Sequence, residues 1–451
     1  MGAITHPKGA LASPYRKNFQ PRLGLAYNFR SKWVFRSSFG IETEDLLSPQ
    51  TNMAFDEYVA TNNIQPAPGD PRVAFTLSQG PGVVQYTLNP DGSARYVSTN
   101  YSARTATWYD PHMRNPYIMT WSGGLQYQFA STWLAETTYS GSAGVGLFQA
   151  WNINAIPLNI STNPATLQQI YQATQNYLPY PQFGTIKGYS NFGHSTYHSG
   201  TIRLEKRYGH GITLSSMYTR SKAIDTSDSD GAVVNGISYY DRSLEKAVAG
   251  YDRSNRWVTN FTGDVPFGVG RRFLNSHGWK DRLLGGWQFT WSQTAQSGAP
   301  FSVSFAHSPY QYLPGASRAN ILLPFDQAQV QGWQIGPNRF PASAENPYFN
   351  FAAFSYPAPF TAGTLGRNTF RSPSMYWAQS SLSKHWTFRE RFRFFVRWDV
   401  NNVTKQPEFS TPGSVYDLTN MGAFGRFTGS IGNFGELGSR FHSILVFRID
   451  F

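Results

Sequence analysis

The sequence has no cysteine and little charge. The absence of Cys from its 451 residues excludes disulfide frameworks, Cys-ligated zinc, iron–sulfur clusters and thiol nucleophiles. Charged residues make up only 14%, compared with about 25% in typical soluble domains. There is also no apolar run near the ~18 residues that a transmembrane helix needs, so a helical membrane protein is excluded.

Aromatic and small polar residues take the place of the missing charge. The chain contains 34 Phe, 26 Tyr and 13 Trp, yet its mean hydropathy is only −0.41. A β-protein with one apolar and one polar face produces this combination, because alternating residues average to neutral hydropathy. The formal net charge of +12 comes without a basic run, so we expect no nucleic-acid partner.

Period-2 alternation recurs along the chain and is broken by very short turns. In residues 22–30, for example, Leu23, Leu25, Tyr27 and Phe29 share one face. The pattern predicts roughly eleven to twelve antiparallel strands, eleven of which can be placed, and residues 71–99 could hide another hairpin, which would change the count but not its parity. The predicted strands are 22–30, 33–41, 116–129, 132–144, 195–208, 211–222, 256–265, 286–305, 375–388, 391–402 and 439–451.

Loop lengths alternate between the two ends of these strands. Short turns lie near residues 31–32, 130–131, 209–210 and 389–390, and an intermediate connection, 266–285, falls on the same side. The other side carries long polar stretches, at about 42–115, 145–194, 224–255, 306–374 and 405–438. Outer-membrane barrels have this layout, with short periplasmic turns and long extracellular loops.

Strand length and aromatic placement favour the same fold. The clear strands run about 9–14 residues, which suits a tilted membrane span, and many carry Tyr, Phe or Trp toward their ends. We therefore predict an all-β, antiparallel transmembrane β-barrel of outer-membrane type. A secreted, soluble β-protein that binds carbohydrate is an alternative, since a sandwich also has an apolar and a polar face.

The final strand resembles an assembly signal. Its alternating apolar residues end on the last residue of the sequence, and they are Phe441, Leu445, Phe447, Ile449 and Phe451. A terminal strand of this kind is read by the outer-membrane insertion machinery, which we expect as a partner together with outer-membrane lipid. An ordinary closing strand is the alternative.

Two further groups are candidate ligand sites. Arg391, Arg393 and Arg397 share one strand face and could form a basic lumen that attracts anions, or they could pair with acids such as Asp399. Aromatic residues in the loop 306–374 could stack on sugars or peptide side chains, or they could simply pack the loop. The candidates are Tyr310, Tyr312, Tyr348, Phe354 and Tyr356.

Metal and catalytic motifs are weak. Asp225, Asp228, Asp230 and Gly231 are reminiscent of a calcium loop, but the ligand frame is wrong because Ile237 takes the twelfth position, where Glu is expected. A solvated acidic loop is the favoured interpretation, and whether calcium binds 225–231 stays open. No G-x-S-x-G or H-E-x-x-H motif occurs, so we expect neither enzyme activity nor a cofactor.

Several segments resemble Oar-like TonB-dependent transporters. The similarity runs from about residue 18 to 451, and it lies in the order and spacing of the segments rather than in one motif. The segments are Asn18–Gly24, Tyr251–Arg256, Val265–Gly268, Leu284–Gln288, Gln296–Phe301, Gly366–Asn368, Phe370–Pro373 and Phe424–Arg426.

The resemblance implies a large 22-stranded barrel, a plug, an N-terminal carboxypeptidase-regulatory-like domain, and import driven by the TonB complex. The sequence shows no TonB box, plug or regulatory-like domain. If the last strand ends on the periplasmic side and the number of strands is odd, the first strand begins on the extracellular side. We therefore expect residues 1–451 to form the C-terminal half of such a barrel, as a truncated or partial chain. We expect this chain in the outer membrane of a Gram-negative bacterium. A passive barrel or a surface adhesin is the alternative function.

Overall fold

The computed structural model describes most of the chain. The described residues are 15–44, 78, 106–181, 183–209, 211–228, 236–306, 318–330, 348–388, 392–406, 409–427 and 441–451. Within these ranges the backbone is mainly antiparallel β-structure. None of the helices there is long and apolar enough to cross a membrane.

The strands and helices have the following bounds. The strands are β1 (Arg22–Arg30), β2 (Trp33–Thr43), β3 (Ala106–Tyr109), β4 (Tyr117–Ala130), β5 (Trp133–Asn152), β6 (Ile186–Gly209), β7 (Ile212–Asp225), β8 (Ala247–Val248), β9 (Asn255–Asp264), β10 (Trp287–Gln296), β11 (Pro300–Phe301), β12 (Ser304–Phe305), β13 (Asn320–Ile321), β14 (Phe354–Ser355), β15 (Phe370–Arg371), β16 (Met375–Phe388), β17 (Phe392–Asn401), β18 (Val415–Tyr416) and β19 (His442–Asp450). The α-helices are α1 (Pro164–Gln172), α2 (Trp279–Leu284) and α3 (Phe325–Ala328).

One large sheet organises the fold. Its main path is β1-β2-β4-β5-β6-β7-β9-β10-β16-β17-β19, and each neighbouring pair is antiparallel. Two short strands lie off this path, because β3 pairs in parallel with β6 and β8 pairs with β7. We call the main path the membrane sheet. Connections of two or three residues join β1 to β2, β4 to β5, β6 to β7 and β16 to β17, and longer connections join the remaining neighbours of the path.

The membrane sheet has one apolar and one polar face. Across β16, β17 and β19, Leu382 lies opposite Trp398, which lies opposite Leu445. One residue along, Ser381 lies opposite Asp399. Trp398 is 50% exposed and Leu445 55% exposed, so the apolar side chains point away from the protein rather than into a core. This arrangement is that of a sheet whose outer face meets lipid.

Close packing on the apolar face requires a glycine at one position. Gly141 lies directly opposite Trp121 in the register of β4 and β5. A Cβ at Gly141 would lie 2.4 Å from the Trp121 indole, so any larger residue at this position would clash with the ring. The glycine therefore lets Trp121 lie flat against the sheet.

The structure confirms all eleven predicted strands and corrects some bounds. The predicted strands 132–144 and 195–208 are too short, because β5 and β6 continue as a pair well beyond the rest of the sheet. The predicted strand 286–305 is too long. It ends at Gln296, where a Ser-Gly-Ala-Pro sequence leaves the sheet, and the following β11 and β12 pair with other segments. The possible hairpin in 71–99 lies outside the described residues, apart from Ser78.

The long connections form a second body with its own core. Fifteen buried apolar residues from the β10–β16 and β17–β19 connections pack together, and we call this unit the loop body. Three two-stranded sheets, β11–β15, β12–β18 and β13–β14, tie its segments together. A second, smaller cluster contains Ile170 of α1, which packs against Ile156 and against Phe360 of the β10–β16 connection.

Candidate functional site

The polar face of the membrane sheet is lined with hydroxyl and amide groups. Its side chains pair across strands, as between Ser38 and Ser122 (2.7 Å between oxygens) and between Thr201 and Thr219 (3.0 Å). The Ser292 hydroxyl donates to the amide oxygen of Asn260 at 2.8 Å. These pairs satisfy polar groups that would be costly in an apolar environment, so this face is suited to a polar lumen.

Charged side chains on the polar face form ion pairs. Arg203 of β6 contacts Glu136 of β5 at 3.8 Å and Glu205 at 2.7 Å. Arg271 contacts Asp264 at 2.8 Å. The pairing reduces the net field of this face while keeping it hydrophilic.

A concave cavity of about 540 Å³ lies on the polar face of the last four strands of the sheet. Its lining consists of Ser, Thr, Gln, His, Arg, Asp and Asn side chains together with Phe395 and Ile444. Such a cavity offers many hydrogen-bond partners. It therefore suits a hydrated solute rather than an apolar ligand.

The predicted arginine cluster lies on this same face. Arg397 lines the cavity, and its Nε donates to Asp399 Oδ2 at 2.9 Å. Arg393 lies four residues before Arg397, opposite Asp450 in the β17–β19 register. Arg391 lies outside the described residues. For Arg397, these contacts agree with the paired alternative, while attraction of anions stays a prediction.

The predicted assembly residues lie in and around β19. Leu445, Phe447 and Ile449 alternate on the apolar face, opposite Trp398, Val396 and Phe394. Phe441 directly precedes the strand, and Phe451 directly follows it. All five side chains are exposed, with Phe451 at 94%. Their recognition by the insertion machinery stays a prediction.

The predicted ligand-loop aromatics fall mostly inside the loop body. Tyr348 and Phe354 are buried, and both contact other aromatic rings. Tyr356 is half-buried, and its hydroxyl donates to the Ala306 carbonyl at 2.9 Å. Tyr310 and Tyr312 lie outside the described residues. The contacts of the first three agree with loop packing, which was the alternative interpretation, and stacking on a ligand stays a prediction.

Tyr348 illustrates this burial. Its hydroxyl donates to the Arg371 carbonyl at 2.6 Å, and burial raises the pKa of its phenol to about 12. A phenol held in this way is a structural hydrogen-bond donor.

A group of charges, all but one of them buried or nearly so, joins the β7–β9 connection to the loop body. Its five members are Asp225, Asp228, Glu245, Arg318 and Arg367, and we call it the charge network. Arg318 donates to both carboxylate oxygens of Glu245, at 3.2 and 3.1 Å, and both side chains are less than 5% exposed. The planar guanidinium matches the two oxygens of one carboxylate, which makes this bidentate pair directional.

Arg367 is the centre of the charge network. Its guanidinium donates to Asp225, and to Asp228 at 2.7 Å, and its Nε donates to the Glu245 carbonyl at 3.0 Å. Burial opposes the charge of Arg367, but the hydrogen bonds and charges of Asp225 and Asp228 outweigh burial and raise its pKa. Arg367 therefore stays charged and links three segments that are far apart in sequence.

Asp228 is held in its charged form. Burial alone would raise its pKa, but donors from the Gly250 N–H, the Asn368 amide and Arg367 outweigh burial and lower the pKa. The Gly250 N–H and the Asn368 Nδ2 lie 2.5 and 2.9 Å from the carboxylate. The ionised Asp228 thus ties the two connections together.

These contacts correct the interpretation of 225–231 as a solvated acidic loop at one residue, Asp225. Asp225 is 3% exposed and Asp228 is partly covered, and both are paired with Arg367, whose guanidinium takes the position of a counter-cation. Asp230 and Gly231 lie outside the described residues. Within the described ranges, no group of three or more His, Asp or Glu side chains is placed to hold a metal ion. Whether calcium binds 225–231 stays open.

Sequence reasoning missed the charge network, although a signal for it existed. Arg367 and Asn368 belong to the Gly366–Asn368 segment, and Asp252 belongs to Tyr251–Arg256, two of the segments that carry the family resemblance. Asp252 accepts from Arg371 at 2.5 Å and is fully buried at its side chain. The charged residues of these two segments were the signal for buried pairing between distant loops.

Comparison with solved structures finds outer-membrane receptors of low similarity. The outer membrane transporter YddB from Escherichia coli is 11% identical, with a TM-score of 0.40, and the alignment covers 93% of this chain and 38% of that one. The ferripyoverdine receptor of the Pseudomonas aeruginosa outer membrane is 7% identical (TM-score 0.39, covering 95% and 32%). The FrpB iron transporter from Neisseria meningitidis is 11% identical (TM-score 0.39, covering 96% and 38%). The chain thus spans about a third of the length of these structures.

Comparison with protein families gives the firmer result. The curated proteins contain no match to this chain. The model of the family described as "Outer membrane beta barrel domain" matches residues 2–440, which is nearly the whole sequence. The apolar face of the membrane sheet accordingly meets the lipid of a Gram-negative outer membrane. The chain belongs to the outer membrane beta barrel domain family.

Proposed function

We propose that this chain is the barrel part of an Oar-like TonB-dependent transporter that takes up an unidentified ligand. The observation that carries the proposal is the two-faced membrane sheet, whose polar face holds a cavity of about 540 Å³ with many hydrogen-bonding side chains in its lining. A passage for solutes needs such a lining, because hydrogen-bond partners replace the water that a solute loses. The ordered segments that resemble Oar-like transporters are the second support.

The loop body would supply the ligand-capturing surface. Short turns face the periplasm in outer-membrane barrels, so the long connections face the outside. The charge network holds these connections to one another through Arg367. Loops held in one arrangement lose less conformational entropy when a ligand binds, which favours tight capture from dilute solution.

We further propose that residues 1–451 form the C-terminal part of a barrel of about 22 strands. Among the described residues, β1 pairs only with β2, and β19 pairs only with β17. An unpaired strand edge is costly in lipid, because each free N–H and C=O lacks a partner. Further strands, from a longer chain or from a second chain, would satisfy both edges.

The proposed partners follow from this arrangement. Outer-membrane lipid meets the apolar face, and the insertion machinery would read β19. The TonB complex would act through a plug, for which the 451-residue sequence shows no counterpart. We expect no cofactor, and the hydrogen-bonding side chains of the cavity support a role in binding and passage rather than in catalysis.

Two alternatives make different predictions. A passive barrel would share the polar face but not the coupling to TonB, and an adhesin would use the loop body to bind a surface. The secreted, soluble alternative disagrees with family membership and with the exposed apolar face, on which Leu445 and Phe447 are more than half exposed.

Comparison of four strains tests the proposal: wild type, a deletion of the gene, the deletion complemented by the gene, and a TonB deletion. Mass spectrometry of spent medium measures which components each strain removes. A TonB-dependent importer predicts one component or class that wild-type and complemented cells remove and that both deletion strains leave behind.

Other outcomes would overturn it. If removal fails in the gene deletion but continues without TonB, the barrel is passive. If no component changes and attachment of the cells to surfaces is lost instead, the chain is an adhesin. The mass of the native complex in detergent tests the partial-barrel proposal separately, since a lone chain would have a protein mass of 50.6 kDa.

A further inference from the structure

The connection between β9 and β10 differs from the other connections at the short-turn end. Those connections hold two or three residues, whereas this one contains 22, 265–286, and includes α2. We call it the rim segment. It has seven large apolar residues that are each between 39% and 71% exposed, namely Phe267, Val269, Phe273, Leu274, Trp279, Leu283 and Leu284.

Three side chains of the apolar face hold the rim segment in place. The Trp287 Nε1 donates to the Leu283 carbonyl at 2.9 Å, and the Trp386 Nε1 donates to the Arg282 carbonyl at 2.8 Å. Lys384 Nζ donates to the same Arg282 carbonyl at 2.7 Å. The last carbonyls of a helix lack intrahelical partners, so these donors fix α2 against the lipid-facing side of the sheet.

Two lysines mark the level of the membrane boundary. Lys384 and Lys206 both project from the apolar face, where a free ammonium would be costly. Both reach toward the short-turn end, since Lys206 Nζ donates to the Gly209 carbonyl at 2.5 Å and lies over the Trp133 ring. Lysines that extend to the interface in this way indicate where hydrocarbon ends.

An aromatic row lies at the same end. Consecutive rings from β1, β2, β4 and β5 contact one another with centroid distances of 4.1–6.2 Å. They are Phe29, Trp33, Tyr127, Phe129 and Trp133. Tyr and Trp belts of this kind occupy the headgroup level of a membrane. The rim segment is therefore placed at the level of lipid headgroups.

The rim segment is also basic. It contains Arg271, Arg272, Lys280 and Arg282 against a single acid, Asp281. The Asp281 carboxylate turns inward and accepts the Val269 N–H at 2.7 Å, and Arg271 pairs with Asp264. Arg272, Lys280 and Arg282 stay exposed beside the apolar side chains.

We propose that the rim segment binds anionic phospholipid in the periplasmic leaflet of the outer membrane. Trp279, Leu283 and Leu284 enter the boundary between headgroups and acyl chains, and Arg272, Lys280 and Arg282 contact the phosphates. Exposed basic and apolar side chains on one segment match the two parts of an anionic lipid. The proposal rests on the outer-membrane location and not on TonB-driven transport, so either can fail without the other.

A lipid titration of the full chain tests the charge requirement. The purified chain in detergent is titrated with phosphatidylglycerol or with phosphatidylcholine, and native mass spectrometry counts the bound lipids. We expect retained phosphatidylglycerol and little phosphatidylcholine. The double variant Arg272→Glu plus Lys280→Glu should weaken phosphatidylglycerol binding by roughly tenfold or more. The charge-matched control, Lys246→Glu plus Lys405→Glu on the long-loop side, should bind as the parent does.

A second measurement locates the segment. Because the chain has no cysteine, Leu283→Cys introduces the single thiol for a polarity-sensitive fluorophore. In vesicles that contain brominated phosphatidylglycerol, the fluorophore should be blue-shifted and quenched, whereas one at Ser243→Cys should be neither. Equal phosphatidylglycerol binding by parent and double variant would overturn the proposal. So would a Leu283→Cys fluorophore that stays in water, or one that is shielded only after periplasmic protein is added.

Discussion

The membrane sheet and the loop body place the same types of residue in opposite environments. Phe447 on β19 is 69% exposed, while Phe349 in the loop body is 1% exposed. The exposure of charged side chains also differs between the two regions. Arg397 on the polar face of the sheet is half-exposed, whereas Arg318 of the loop body is 3% exposed and paired with Glu245. The sheet turns its apolar residues outward and the loop body turns them inward.

The difference shows that two solvents shape one chain. Lipid contacts the apolar face of the sheet, so the large apolar side chains there are removed from water without packing against other parts of the protein. The loop body meets water, so it needs an ordinary core and must pair its buried charges. We therefore expect the two regions to respond differently to the same kind of substitution.

The largest effect is expected from Arg367→Ala. The substitution leaves Asp225 and Asp228 without their guanidinium partner, in a partly or fully buried position. Removing one partner of a buried ion pair costs about 3–5 kcal/mol. Hydrogen exchange should show faster exchange in 236–254 and 362–371, with the membrane sheet unchanged. Arg367→Lys, which keeps the charge but not the fork of donors, should lie in between. Unchanged exchange in the Ala variant would mean that the charge network does not hold the loops.

A matched pair of phenylalanines measures the contrast in packing. Phe349→Ala opens a cavity among Phe301, Phe354 and Phe424, and should lower the free energy of unfolding of the loop body by about 3–5 kcal/mol. Phe447→Ala should cost less, because lipid fills the vacated space on the apolar face. Urea titration of the chain in vesicles compares the two variants. Equal losses would contradict the assignment of the apolar face to lipid.

Arginine scanning across one strand pair distinguishes the two faces of the sheet. Leu445→Arg places a charge on the apolar face and should cost up to about 2–4 kcal/mol, depending on its depth in the bilayer. Ser381→Arg lies opposite Asp399 on the polar face and should be tolerated. The yield of heat-modifiable, folded chain after refolding into vesicles reports both. A tolerated Leu445→Arg would indicate that this position faces water.

The smallest effect is expected at the exposed ion pair of the polar face. Arg397 and Asp399 are 45% and 25% exposed at their side chains. Exposed pairs contribute less than about 1 kcal/mol, so Arg397→Gln should barely change thermal unfolding. A change as large as that of Arg367→Ala would show that the polar face is shielded from water. A shift in ion selectivity across planar bilayers, without a loss of stability, would support the basic-lumen interpretation of this cluster.

Much of the membrane sheet is predictable from the sequence, and little of the loop body is. Tyr27 and Phe29 alternate with polar residues, and a two-residue turn follows, so the register of β1 and β2 is a local property. The extra length of β5 and β6 was missed. In their additional, loop-side residues, these strands bury Phe148 and Trp151 against the loops. Alternation is lost there because neither face of the strands meets lipid.

The amino-acid sequence by itself determined the strands, their order and the two faces of the sheet. The strands and their faces follow from alternation over a few residues, and the pairing of β1 with β2, β4 with β5, β6 with β7 and β16 with β17 follows from connections of two or three residues. Only the tertiary structure decided which loop residues meet. The contact between Arg367 and Asp225 joins residues 142 positions apart, and the rim segment reaches the lipid-facing side through Trp287 and Trp386. Such contacts depend on burial and charge pairing between segments with no shared local pattern, so no period in the sequence announces them.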